Sequence, residues 1–102
     1  MYRASDEVAN EAWLATLDEA AERLELTAAA RSRAADLFLS TAPSEDRSKK
    51  PALAAAIYVA TLTVGEGRSQ GDVADAVGVS RLSVQQRWKD LMEAAGLEPP
   101  TW

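Results

Sequence analysis

Between Pro51 and Val64 the chain reads PALAAAIYVATLTV, without one charged side chain. A helix that is apolar all round belongs at the centre of a bundle, enclosed by other helices. Its alanines let those neighbours approach closely. No run in the sequence reaches the about 18 apolar residues of a membrane span, so water-facing helices must do the enclosing.

Helical periodicity on both sides supplies them. Trp13, Leu17, Ala20, Ala21 and Leu24 recur on one face, with Asp18, Glu19, Glu22 and Glu25 on the other. Leu26-Thr27 is expected to end this helix, with Thr27 capping the next. The second helix runs from about Ala28 to Thr41, Ala34, Ala35, Leu37 and Phe38 facing inward, and Pro43-Ser44 breaks it. Residues Ser44 to Lys50 read as a polar connection, and Pro51 suits the first turn of the central helix. Gly65-Glu66-Gly67 stops that helix. Ser69 then caps a short helix to Val77 with Val73, Ala74 and Val77 inward, Gly78-Val79-Ser80 makes a turn, and Ser80 caps a last helix from Arg81 to about Ala95, ended by Gly96. The expected fold is all-α, a five-helix bundle. One domain is expected over residues 13–96, with 1–12 an N-terminal extension or the start of helix 1 and 97–102 a tail.

The composition excludes much chemistry. The 102 residues include no cysteine and no histidine, which removes disulfides, Cys/His zinc sites, thiol nucleophiles and imidazole bases. Carboxylate pairs such as Asp18/Glu22 and Asp72/Asp75 sit on surface faces at ordinary helical spacing with no sign of burial, so a solvated acidic face is the better account of them than acid–base work. Gly65-Glu66-Gly67-Arg68 follows a helix and is too short for a phosphate loop. No enzyme, cofactor, metal or small-molecule substrate is expected. The first residues lack the basic start and apolar run of a signal peptide, so the expected location is cytoplasmic. Sixteen acids against eleven bases, with only three lysines, give a net charge of −5. That balance suits a halophilic cytoplasm, where charge repulsion is screened within ~3 Å at 1 M salt; an ordinary acidic protein from a GC-rich genome fits the same numbers.

The last two helices carry the functional signal. Gln70, Ala74, Gly78 and Val84 occupy the first, fifth, ninth and fifteenth positions of a helix-turn-helix pattern over residues 69–95. Ala74 is small where the second helix crosses, and Gly78 permits a positive φ in the turn. At 3.6 residues per turn, Val84, Trp88, Leu91 and Ala95 form the inward stripe of the last helix. Opposite lie Leu82, Ser83, Gln86, Lys89 and Glu93, with Gln85 at the flank. Ser80 to Asp90 carries a local net charge of +2, whereas Ser5 to Leu26 carries −6. Arg81 sits at a helix N-terminus, where the macrodipole disfavours a cation; contact with a phosphate or base would explain its place there, and a simply exposed arginine explains it almost as well. These residues predict a DNA contact with Arg81, Leu82, Ser83, Gln85, Gln86 and Lys89 facing bases and Ser69, Gln70 and Arg87 touching phosphates.

Lys50 to Ala60 (KPALAAAIYVA), Gly65-Glu66, Gln70 to Ala74 (QGDVA), Gly78-Val79-Ser80 and Val84 to Leu91 (VQQRWKDL) together resemble the core repeat of archaeal transcription factor B, the counterpart of general transcription factor IIB. The resemblance is specific from about Lys49 to Glu93, weaker from Trp13 to Ala42, and closest to the second of that family's two repeats. It implies a cyclin box of five helices whose helix-turn-helix reads a promoter element while the domain engages TATA-binding protein. With no cysteine or histidine among these residues, no counterpart of the family's zinc ribbon is expected here, and one cyclin box is expected rather than two. By gapless alignment of the turn, the family's base readers fall at Leu82 and Gln85; the second replaces an arginine that addresses guanine.

The resulting expectation is a single-cyclin-box protein that modulates transcription initiation, binding promoter DNA weakly by itself and assisted by TATA-binding protein or another transcription regulator. An acidic protein neutralises few phosphates, which keeps solo affinity low. The rival is a protein-docking module whose helix-turn-helix is only architecture, with the acidic first helix or the tail ending in Trp102 as the docking element.

Overall fold

A computed structural model describes residues 10–98. Among them are five helices and no strand: α1 (Glu11–Arg23), α2 (Ala28–Thr41), α3 (Asp46–Thr63), α4 (Gln70–Val77) and α5 (Arg81–Ala94). The all-α expectation is met. Residues 99–102 of the expected tail, Trp102 among them, lie outside the described residues, as does most of the N-terminal extension.

The uncharged stretch behaves as its composition dictates. Every residue from Ala52 to Thr61 is buried, and α3 packs against each of α1, α2, α4 and α5. Ala54, Ala55 and Ala56 are fully enclosed, so the neighbouring helices approach close to the α3 backbone. Phe38 from α2, Leu17 from α1, Val73 from α4 and Val84 from α5 complete the interior with no exposed surface worth noting. Trp13, Ala35 and Ala95, expected to face inward, are only half-buried.

Two boundaries differ from the sequence expectation. The segment read as a polar connection is in part helix, since α3 starts at Asp46 and Pro51 lies inside it. Proline there removes one bond, to the carbonyl four residues back, whereas the first-turn N–H groups have no helical acceptor in any case. The polar turn is retained because Asp46 sits at the positive helix end and Lys49 Nζ reaches Asn10 Oδ1 at 3.3 Å. At the other boundary, α1 ends at Arg23 rather than at Leu26. Glu25 takes a left-handed φ of +56°, and Leu26 N–H donates back to the Ala21 carbonyl at 3.0 Å, the bonding of a Schellman end. Glutamate is a rare occupant of that position, which hid the stop from sequence.

The α3–α4 loop fastens this junction. The Arg68 guanidinium donates to the carbonyls of Leu24 (3.0 Å) and Glu25 (3.4 Å) and to that of Glu66. It thereby satisfies carbonyls just beyond the end of α1. The Glu66 carboxylate does the reverse at the start of α2, accepting from Thr27 N–H at 3.1 Å and from the Thr27 hydroxyl. Thr27 Oγ1 in turn accepts from Ala30 N–H at 3.3 Å as N-cap. Hydrogen bonds from the Thr27 hydroxyl and then from its N–H hold the Glu66 carboxyl below the ordinary glutamate value, with the Arg68 charge adding to them.

Candidate nucleic-acid interface

The C-terminal helix pair is built from local signals that act as written. Ser69 Oγ accepts from Asp72 N–H at 3.0 Å and starts α4; Ser80 Oγ accepts from Ser83 N–H at 3.2 Å and starts α5. Between them Gly78 adopts φ +90°, ψ +39° and closes α4, its N–H donating to the Ala74 carbonyl. A Cβ at Gly78 would lie 3.3 Å from Lys50 Nζ, so the turn sits beneath a lysine of the first turns of α3. Val84, Trp88, Leu91 and Met92 anchor α5 in the core. The Trp88 ring meets Tyr58 of α3 edge-on, with centroids 5.4 Å apart and planes at 80°, a favoured aromatic geometry. This contact fixes the rotation of α5 about its own axis.

With that rotation set, the outer side of α5 is open to solvent. Arg81, Leu82, Gln85, Gln86 and Lys89 are exposed. Leu82 is 56% exposed and is the one large apolar side chain so placed among the described residues. Ser83 is half-buried, and its hydroxyl lies 3.0 Å from Ser80 Oγ, so it belongs to the cap as well as to the helix surface. Lys89 Nζ stands 5.4 Å from the Trp88 ring centroid, within cation–π range.

The residues predicted for phosphate contact divide between the two flanks of α5. Ser69, Gln70 and Gly71, at the start of α4, share with Arg81, Gln85 and Lys89 an open depression of about 700 Å³ floored by Tyr58 and Trp88. Arg87 is on the other flank, lining with Asp90, Leu91 and Ala94 a smaller hollow of about 220 Å³ against Thr41, Pro43 and Ala52. The exposed strip of α5 therefore runs between two edges. One carries Arg81, Lys89 and the positive end of α4; the other carries Arg87. Sequence reasoning did not single out Tyr58 or Lys50 for this region. Their signal, a lone phenol in an apolar helix and a lysine two turns upstream, was legible only as packing.

Among the described residues no group of three or more Asp or Glu side chains is placed to hold a metal ion, and no helix is long and apolar enough to cross a membrane. The interface offers hydrogen bonds, cations and one aliphatic contact.

Comparison with known proteins matches residues 8–94 to the transcription factor TFIIB repeat. The chain belongs to the TFIIB repeat family. The transcription initiation factor IIB of Pyrodictium occultum is 36% identical over 80 residues, covering 76% of this chain and 26% of that protein. That of Pyrococcus horikoshii is 43% identical over 54 residues, 51% of this chain and 18% of that protein. That of Archaeoglobus fulgidus is 44% identical over 45 residues, 44% of this chain and 14% of that protein. The chain thus spans about a quarter or less of the length of these curated relatives. The five helices are the cyclin-box fold of a TFIIB repeat, and the longest of these three matches is long enough to take in most of that repeat.

Proposed function

We propose that this TFIIB repeat acts in transcription initiation by laying the exposed side of α5 in the major groove of promoter DNA, assisted by TATA-binding protein or another transcription regulator. The observation that carries the reading is the unobstructed strip of Arg81, Leu82, Gln85, Gln86 and Lys89 on a helix held by a buried Trp88. Family membership supports the same reading, since the relatives are named transcription initiation factors. The side chains suit the task. Glutamine pairs with adenine edges, an aliphatic group packs on a thymine methyl, Arg81 and Lys89 face base edges, and every cation brought to the groove offsets phosphate charge. Ser69 and Gln70 at the start of α4 offer backbone and side-chain donors to one strand, and Arg87 offers its guanidinium to the other. Ser83, tied to Ser80, contributes at the rim of the strip.

Three cations and a chain net charge of −5 make solo binding weak and salt-sensitive, with log K falling by about 0.9 per phosphate neutralised for each unit of log salt. A high-salt, halophilic setting, which the acid excess favours, would deepen the need for a protein partner. The test is binding to labelled promoter DNA over a salt series, with and without TATA-binding protein. Binding that requires the partner supports assisted recruitment, and binding alone with a steep salt slope supports direct DNA reading. Absence of DNA binding under both conditions at low salt overturns the proposal and leaves the docking module, for which the acidic outer face of α1 is the described element.

A further inference from the structure

Arg23 lies at the end of α1, remote in sequence from the helix pair, yet its Nη1 donates to the Ala76 carbonyl in the last turn of α4 at 2.8 Å. The last carbonyls of a helix have no partner within it. Two of those at the end of α4 are met from outside the helix or from the turn: Ala74 accepts from Gly78 N–H and Val79 N–H, and Ala76 accepts from Arg23. A guanidinium at this end also complements the negative pole of the α4 macrodipole. Only the three residues Gly78-Val79-Ser80 separate this anchored turn from Arg81, so whatever holds the end of α4 also sets where α5 starts.

The side from which Arg23 approaches is as informative as the bond. Arg23 shares a hollow of about 410 Å³ with Arg68, Asp72, Asp75 and Ala76. Gly71, one residue before Asp72, instead faces Arg81, whose Cδ is 3.9 Å from the site of a glycine Cβ. Arg23 and Arg81 therefore lie against different flanks of α4, and Arg23 lines a hollow separate from the depression beside α5.

We infer that Arg23 is a positioning residue for the DNA-reading surface: it fixes the start of α5 by holding the end of α4, without touching nucleic acid. This rests on the DNA-binding reading above. The variants Arg23→Gln and Arg23→Lys separate the roles, with Arg81→Gln as the direct-contact comparison. Binding to promoter DNA is measured over a salt series, with the partner if it is required, at a temperature where every variant is folded.

R23Q is expected to weaken binding about tenfold, the size of a lost charge-assisted hydrogen bond, with the salt slope unchanged. R23K, which still reaches a carbonyl with one donor, recovers most of the affinity. R81Q lowers the slope by about one. Wild-type affinity in R23Q, or a slope reduced by about one, overturns the inference. Amide hydrogen exchange of the DNA-free protein gives a readout that does not depend on the function: R23Q should accelerate exchange over residues 76–83 about tenfold and leave α2 and α3 as they were. Unchanged exchange in that segment overturns the inference even if DNA binding stands. Selective acceleration with no DNA binding by any form leaves Arg23 as an anchor of α4 and overturns its role in reading, together with the proposed function.

Discussion

Single residues in the turn and on the outer strip of α5 carry separable burdens. Gly78 is required by its backbone, since φ +90° costs an L-residue about 1–2 kcal/mol. Gly78→Ala should lower the folding stability by that amount in denaturant titration, because Lys50 Nζ is the flexible end of a side chain and can move aside. Arg81 and Lys89 are the opposite case. Arg81→Gln and Lys89→Gln should leave stability within about 0.5 kcal/mol of wild type, while each removes about one unit from the salt slope of DNA binding. Sequence was a good guide here wherever one residue does one job at its own position. Ser69, Ser80 and Gly78 act locally and were legible for that reason. The Arg23–Ala76 bond joins residues far apart in the chain, and no local pattern encodes it.

The helices differ in how their boundaries are enforced, and the α3–α4 loop shows the cooperative way. Glu66 and Arg68 satisfy the start of α2 and the end of α1 from outside both helices. Because hydrogen bonds from Thr27 hold the Glu66 carboxyl below its ordinary value in the folded protein, its ionised form stabilises the fold. That contribution is complete above the unfolded glutamate pKa and disappears as pH falls through the lowered folded value. Glu66→Gln should therefore be less stable than wild type near neutrality, and the two proteins should converge in thermal midpoint as the solution is acidified through that range. A gap that stays constant with pH would assign the effect to shape rather than charge. Gly65-Glu66 could be read in sequence as a stop for α3, but not as a fastening for two other helices. The early end of α1 escaped for the same reason, as Glu25 adopts its left-handed backbone with Arg68 holding its carbonyl. Pro51 misled differently, since proline is compatible with a helix that has already begun.

Over the molecule as a whole, an apolar middle is wrapped by charged and polar surfaces of uneven sign. Phe38 is fully buried beside α3, and Phe38→Ala should cost about 3–5 kcal/mol, measurable as a large drop in denaturant midpoint or outright failure to fold. Salt should act in two directions. Screening the acid excess relieves self-repulsion, so the thermal midpoint is expected to rise from low salt to 1 M KCl, while affinity for DNA falls across the same series. A midpoint insensitive to KCl would remove the case for salt adaptation. The bundle itself was readable because amphipathic spacing and an uncharged stretch are properties of whole segments, which average over local exceptions. The division of Arg87 from Ser69 and Gln70 was not readable, since a helical wheel gives angles on one helix and says nothing of which neighbour lies at each edge.

The alanine-rich axis has a further bearing on how such a protein diversifies. Side chains that hold the scaffold point toward α3, while Leu82, Gln85 and Gln86 stand exposed on the far side of α5. Exchanging the latter leaves the architecture intact, so, on the proposed reading, one stable frame is re-addressed to a different DNA sequence through a handful of outward replacements, with the interior as the part that cannot drift.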